Sequence, residues 1–108
     1  MILVTAIANP KPLITYLESA GYQILKHLNL PDHHAYNQAD LQEISETYTL
    51  NKSEDPVIIT TRKDAVKLLA PEFADIVKQI PFFYVPIEVA FLDGQAGFEE
   101  LVLKALRG

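Results

Sequence analysis

The chain has 108 residues, 49% of them hydrophobic and 21% charged, with a formal net charge of -5 at pH 7. That length supports a single core and is too short for two. Nine basic residues scattered among fourteen acids argue against a nucleic-acid partner, because phosphate binding draws on clustered Lys and Arg. Without cysteine there are no disulfides and no thiolate zinc site, which fits a cytoplasmic setting.

No run approaches the ~18 apolar residues of a membrane span, and the opening MILVTAIANPKP has neither the basic lead nor the cleavage pattern of a signal peptide. Met1 runs directly into an apolar stretch with no polar leader, which reads as the start of a chain cut from something longer. Ile2 to Ala6 is predicted to be a strand covered on both faces. Pro10 and Pro12 then suit the first turn of a helix with Leu13, Leu17 and Ala20 at helical spacing, ended by Gly21. Tyr22 to Leu28 reads as a second strand. It delivers the chain to Pro31 and the cluster Asp32, His33 and His34. Asn37 is a good N-cap, with Asp40 three residues on and Leu41, Ile44 and Tyr48 along one helix face.

Thr49 to Asp55 reads as a loop, and Val57, Ile58 and Ile59 as a third, central strand. Thr60 or Thr61 can cap a short helix through Ala65 and Leu68. Pro71 opens another helical stretch with Phe73, Ile76, Val77 and Ile80 inward, and Pro81 stops it. Phe82 to Val85 is predicted to be a fourth strand, followed after Pro86 by an extended segment from Ile87 to Leu92 near an edge. Gly94 and Gly97 lead into a final predicted helix with Phe98, Leu101, Val102, Ala105 and Leu106 on one side.

Repeated strand-turn-helix units predict a three-layer α/β/α fold with a mostly parallel sheet of four to five strands, because parallel neighbours need crossovers and these crossovers are helical. Ligands of such sheets gather beyond the carboxyl ends of the strands, the edge where Asn9, Asp32 to His34 and Thr60 to Asp64 should converge. Each residue also has a plain structural explanation. Asp32 can be a turn residue, His34 a packing or surface imidazole, and Asn9 a turn former before Pro10. Thr60 and Thr61 can be caps, with Lys63 and Asp64 a solvated first turn. Phe82, Phe83, Tyr84 and Phe98 read as core.

Three segments carry a family resemblance. AIANPKPLITYL resembles the Gly-Ile-Ala-Asn-Pro segment of the tetraacyldisaccharide 4'-kinases, the lipid A kinases of Gram-negative bacteria. LPDHHAYNQADL resembles their Phe-Pro-Asp-His-His-x-Tyr-Thr segment, and IITTRKDAVKL their Val-Thr-Thr-Glu-Lys-Asp-Ala segment. FFYVPIEVAFLDG looks like their closing strands. The resemblance spans nearly the whole chain and only the C-terminal part of the family. With glycine only at 21, 94, 97 and 108, no G-x-x-x-x-G-K-[ST] phosphate loop can be written here.

The resemblance implies transfer of the ATP γ-phosphate, with Mg²⁺, to the 4'-hydroxyl of a tetraacyldisaccharide 1-phosphate. ATP and Mg²⁺ would be bound mainly by an absent N-terminal kinase domain, the implied partner of this one, and this fragment alone would be inactive. It further implies that an acidic residue of the N-terminal half takes the hydroxyl proton and that His33 supports it across the cleft. Asp32 would fix the tautomer of His33 or help set the approach to the phosphates. Asn9, Thr61, Lys63 and Asp64 are the implied substrate- or phosphate-binding residues, and no metal ligand is expected. The full-length enzyme would sit at the cytoplasmic face of the inner membrane. Two positions depart from the family pattern: Arg62 stands where Glu is usual, and Ala6 where Gly is usual. Arg62 could meet a phosphate instead.

Two alternatives stand beside this. A metal-dependent phosphoesterase also uses Asp-His-His, yet it needs further Asp and His ligands, and His27 lies in a predicted strand. A docking or regulatory module could use the same rim without catalysis.

Overall fold

Four apolar or β-branched residues, all buried, form strand β1 (Ile2–Thr5). The computed structural model describes residues 1–86 and 103–106. In it β1 lies between β2 (Lys26–Asn29) and β3 (Ile58–Thr61), with β4 (Phe82–Val85) beyond β3, and these four strands are parallel. β5 (Lys104–Ala105) adds to the far edge, antiparallel to β4, so the sheet order is β2-β1-β3-β4-β5. The crossovers are α1 (Lys11–Ser19), α2 (Gln38–Leu50), and α3 (Arg62–Leu68) followed by α4 (Ala74–Gln79).

Successive strand residues point to opposite faces, and each face has its own core. Ile2, Val4, Ile58 and Phe82 pack with Leu41 and Ile44 of α2, Leu68 of α3 and Val77 of α4. Leu3, Ile59 and Val85 pack on the other face with Leu13 and Leu17 of α1. The fold is therefore the expected α/β arrangement in three layers, with five strands. From β1 the chain steps outward to β2, then returns across β1 to β3, with α1 and α2 on opposite faces. In open α/β sheets a crevice forms beyond the carboxyl ends of the strands at such a reversal. Here that reversal lies between β1 and β3.

Local signals set several boundaries. Gly21 takes φ 94 two residues past α1. Its N–H donates to the Glu18 carbonyl at 3.0 Å and that of Tyr22 to Leu17 at 3.1 Å, the paired bonds that close a helix on a left-handed residue. Other boundaries shift from expectation. β2 starts at Lys26, not Tyr22; Tyr22 and Ile24 still pack against the α1 core. α2 continues through Thr49 to Leu50, and a short 3₁₀ turn at Lys52–Glu54 takes up part of the predicted loop. β3 extends through Thr60 and Thr61, whose positions in the sheet bury both.

The final predicted helix is corrected at its end: Lys104 and Ala105 are a strand, held in part by the Leu106 N–H to the Phe82 carbonyl at 2.9 Å. Leu103 packs into one core and Leu106 into the other. Residues three apart share a face of a helix and take opposite faces of a strand, and a short apolar run does not distinguish the two. The segment from Ile87 to Leu92 and the helix predicted around Phe98, Leu101 and Val102 lie outside the described residues.

Candidate functional site

Loops leaving β1, β2 and β3 meet at the backbone of Ala6. Its N–H donates to Asp64 Oδ2 at 3.2 Å, and its carbonyl accepts from the His33 N–H at 3.3 Å. The Leu30 N–H donates to the carbonyl of the preceding Thr5 at 2.8 Å. The segments of the Asp-His cluster and of Thr60 to Asp64 thus come together at one rim, at the strand-order reversal. Asn9 stands exposed on the β1 loop, its Oδ1 accepting the Lys11 N–H at 3.2 Å.

Asp32 and His33 occupy a turn closed by the His34 N–H to the Pro31 carbonyl at 3.0 Å. His33 takes φ 63, a left-handed conformation that turns of this kind usually give to Gly or Asn. The His33 side chain is 87% exposed and that of Asp32 42%, with Nε2 and Oδ2 3.5 Å apart. Neither is sealed in apolar packing. Both face solvent, on a surface that a second body can cover.

The residues on either side of the pair are anchored. His34 Nε2 lies 2.7 Å from Asp40 Oδ2, which also accepts the Asn37 N–H at 2.9 Å. Asn37 Oδ1 in turn accepts the Asp40 N–H at 3.0 Å, completing a reciprocal cap on α2. Lys67 Nζ donates to the His34 carbonyl at 3.1 Å, and the His34 ring meets Tyr36 edge-on at 5.9 Å. The loop is fixed to α2, α3 and β1. Its exposed titratable side chains are Asp32 and His33.

Thr61 and Asp64 are turned inward, 2% and 1% exposed. Thr61 caps α3, its hydroxyl accepting the Asp64 N–H at 3.0 Å and donating to Asp64 Oδ2 at 2.7 Å. Both side chains are therefore engaged with the protein beneath the rim, whereas Arg62 and Lys63 stand exposed on the first turn of α3. Asp64 Oδ1 and the Tyr36 hydroxyl are buried without a hydrogen-bond partner. Burial first, and then the Asp64 charge, pushes the Tyr36 phenol far up, so it keeps its proton.

Sequence reasoning left Tyr36 and Lys67 out of the site and read His34 as a packing or surface residue. The Tyr of the Phe-Pro-Asp-His-His-x-Tyr pattern was the available signal for Tyr36. For His34 the signal was Asp40, at the position where a capping carboxylate reaches back toward the preceding loop. Among the described residues no three His, Asp or Glu side chains come together to hold a metal ion, as a metal-dependent phosphoesterase would need. No helix among them is long and apolar enough to cross a membrane.

By fold and site this is a doubly wound α/β domain that displays an Asp-His pair at the reversal of its strand order. The model of the Tetraacyldisaccharide-1-P 4'-kinase family matches residues 1–107, and the chain belongs to that family. It is similar to the tetraacyldisaccharide 4'-kinase of Bacteroides thetaiotaomicron, at 38% identity over 97 residues, covering 88% of this chain and 25% of the relative. The enzyme of the same name from Flavobacterium johnsoniae is 34% identical over 106 residues, covering 98% and 27%. That from Rickettsia typhi is 41% identical over 63 residues, covering 58% and 19%. The chain spans about a quarter of the length of the first two. No solved structure matches it.

Proposed function

We propose that this chain is the C-terminal lobe of a tetraacyldisaccharide 4'-kinase, and that Asp32 and His33 line one wall of a cleft completed by an ATP-binding lobe. The observation that carries this reading is the exposed Asp32–His33 pair, held at the strand-order reversal by a loop anchored on both sides. The reaction is transfer of the ATP γ-phosphate to the 4'-hydroxyl of a tetraacyldisaccharide 1-phosphate. An imidazole near neutral pH can accept or orient a proton. His33 supports the acidic group of the opposite lobe that takes the hydroxyl proton, and Asp32 orients the ring. Asn9 and Lys63, both exposed, are in reach of substrate arriving at the rim, Lys63 as a point charge for phosphate.

The described residues of this chain do not fit ATP or Mg²⁺. The sequence has no phosphate-cradling glycine loop, and the described residues contain no cluster of metal-ligating side chains. Those sites belong to the other lobe. The complete enzyme works at the cytoplasmic face of the inner membrane, where its lipid acceptor is available.

In the full-length enzyme, His33→Ala should lower turnover ~10²-fold, the scale of a lost proton-handling group. An unchanged rate in that variant refutes the reading. The chain by itself should neither hydrolyse ATP nor phosphorylate the disaccharide, and transfer by the isolated chain would overturn the two-lobe arrangement.

A further inference from the structure

We propose that Asp64 is a positioning residue for His33, acting through the backbone of Ala6 without touching the substrate. The inference rests on the reading of His33 as an imidazole of the reaction cleft. Asp64 is 1% exposed, and its Oδ2 takes both the Thr61 hydroxyl at 2.7 Å and the Ala6 N–H at 3.2 Å. The Ala6 carbonyl then takes the His33 N–H at 3.3 Å. Two hydrogen bonds and one residue separate the carboxylate from the backbone of the imidazole.

That connection matters because His33 is strained. A left-handed non-glycine residue persists when its surroundings over-determine it. The bond from His34 to Pro31 closes the turn on itself, while the bond from His33 to Ala6 ties the turn to the sheet. α3 also holds the loop a second time, through Lys67 and the His34 carbonyl, one helical turn after Asp64. Segments that lie far apart in the sequence, at Ala6, at Asp32–His33 and at Thr61–Asp64, are thus one hydrogen-bonded unit.

The remaining oxygen, Asp64 Oδ1, is buried and unpartnered, as is the Tyr36 hydroxyl. Burying a carboxylate oxygen is costly unless a donor meets it, and the adjoining group able to do so is the Tyr36 phenol. The Tyr36 phenol keeps its proton and adjoins the Asp64 charge. Placing Tyr36 three residues beyond His33 puts a second group of the same loop against the same carboxylate.

The test is a kinetic cycle in the full-length enzyme. Asp64→Ala should lower kcat by up to ~10²-fold with KM little changed, the scale expected when a reacting group is misplaced by about 1 Å. Combined with His33→Ala it should add less than about threefold, because residues acting as a unit are not additive. Asp64→Asn keeps an oxygen for Ala6 and Thr61 and should hold kcat within about threefold of the parent. Additive losses, or an Asn variant as slow as the Ala variant, overturn the inference; the latter would mean that the charge itself acts on the substrate.

If Asp64→Ala fails to fold, Thr61→Val removes the hydroxyl that steadies the carboxylate, and it should lower kcat severalfold; a parental kcat there overturns the inference. Amide hydrogen exchange on this chain gives a readout independent of kinase activity. In Asp64→Ala, or in Thr61→Val if that must serve, His33 N–H protection should fall relative to that of His34, and equal protection of the two overturns the inference. A fully active His33→Ala enzyme overturns the cleft reading and this inference with it. A slow His33→Ala beside a fast Asp64→Ala overturns this inference alone.

Discussion

Replacing His33 by Gly separates what the imidazole does from what its backbone costs. At φ 63 a residue with a Cβ is disfavoured by about 1–2 kcal/mol. Glycine removes that strain but gives the unfolded chain more freedom, a loss of about 0.4–1 kcal/mol. The side chain is 87% exposed and its contact with Asp32 is a long one at the surface, 3.5 Å, so little packing or charge energy goes with it. The net expectation is stabilisation by about 0.5–1 kcal/mol, which for a domain of this size raises the melting temperature by roughly 2–8 °C. Urea and thermal unfolding of the two chains measure it directly, and the full-length His33→Gly enzyme should be as slow as His33→Ala. A destabilised His33→Gly chain would refute the strain argument: the turn would then owe its shape to the imidazole and not to the backbone bonds donated to the Ala6 and Pro31 carbonyls.

Asn37→Ala removes the acceptor for the Asp40 N–H at the start of α2 and should cost about 1 kcal/mol, read from the urea midpoint; an unchanged midpoint would mean that the bonds made by Asp40 carry the cap alone. Burial pushes the His27 imidazole down from 6.5, so between its folded value and 6.5 the unfolded chain binds more protons. The stability linked to it is therefore present above pH 6.5 and is lost as pH falls through that window. His27→Gln should flatten this part of the stability-pH curve, and an identical slope in both proteins would contradict the assignment.

Much of the architecture was legible because its signals are local. Pro12 and Gly21 bracket α1, Asn37 with Asp40 starts α2, and the runs at Ile2 and Ile58 have no polar face to show solvent. The alternation of strands and helices then implies parallel pairing, and parallel pairing puts the connecting loops on one rim. Asp32 and His33 stand out because they belong to a titratable cluster behind Pro31, in a loop between two ordered elements where α/β sheets place their ligands. Less was readable where a residue's role depends on distant neighbours. Thr61 and Asp64 look like a solvated cap and first turn, and nothing in TTRKD says that β1 will lie against them; once it does, Ala6 offers an N–H that only an inward carboxylate can meet. Leu103 and Leu106 fit either a helix face or two sides of a strand, and the free edge of β4 decides for the strand.

The amino-acid order alone determined the kinds of elements and their succession, since these follow from periodicity, caps and turn chemistry within a few residues of each other, while the choice of Asp32 and His33 within their cluster rested on the family resemblance of that segment. Only the folded sheet decided that Ala6, His33 and Asp64 are neighbours and which way each carboxylate points. Hydrogen bonds between segments as many as 58 residues apart exist only after the strands have chosen their order.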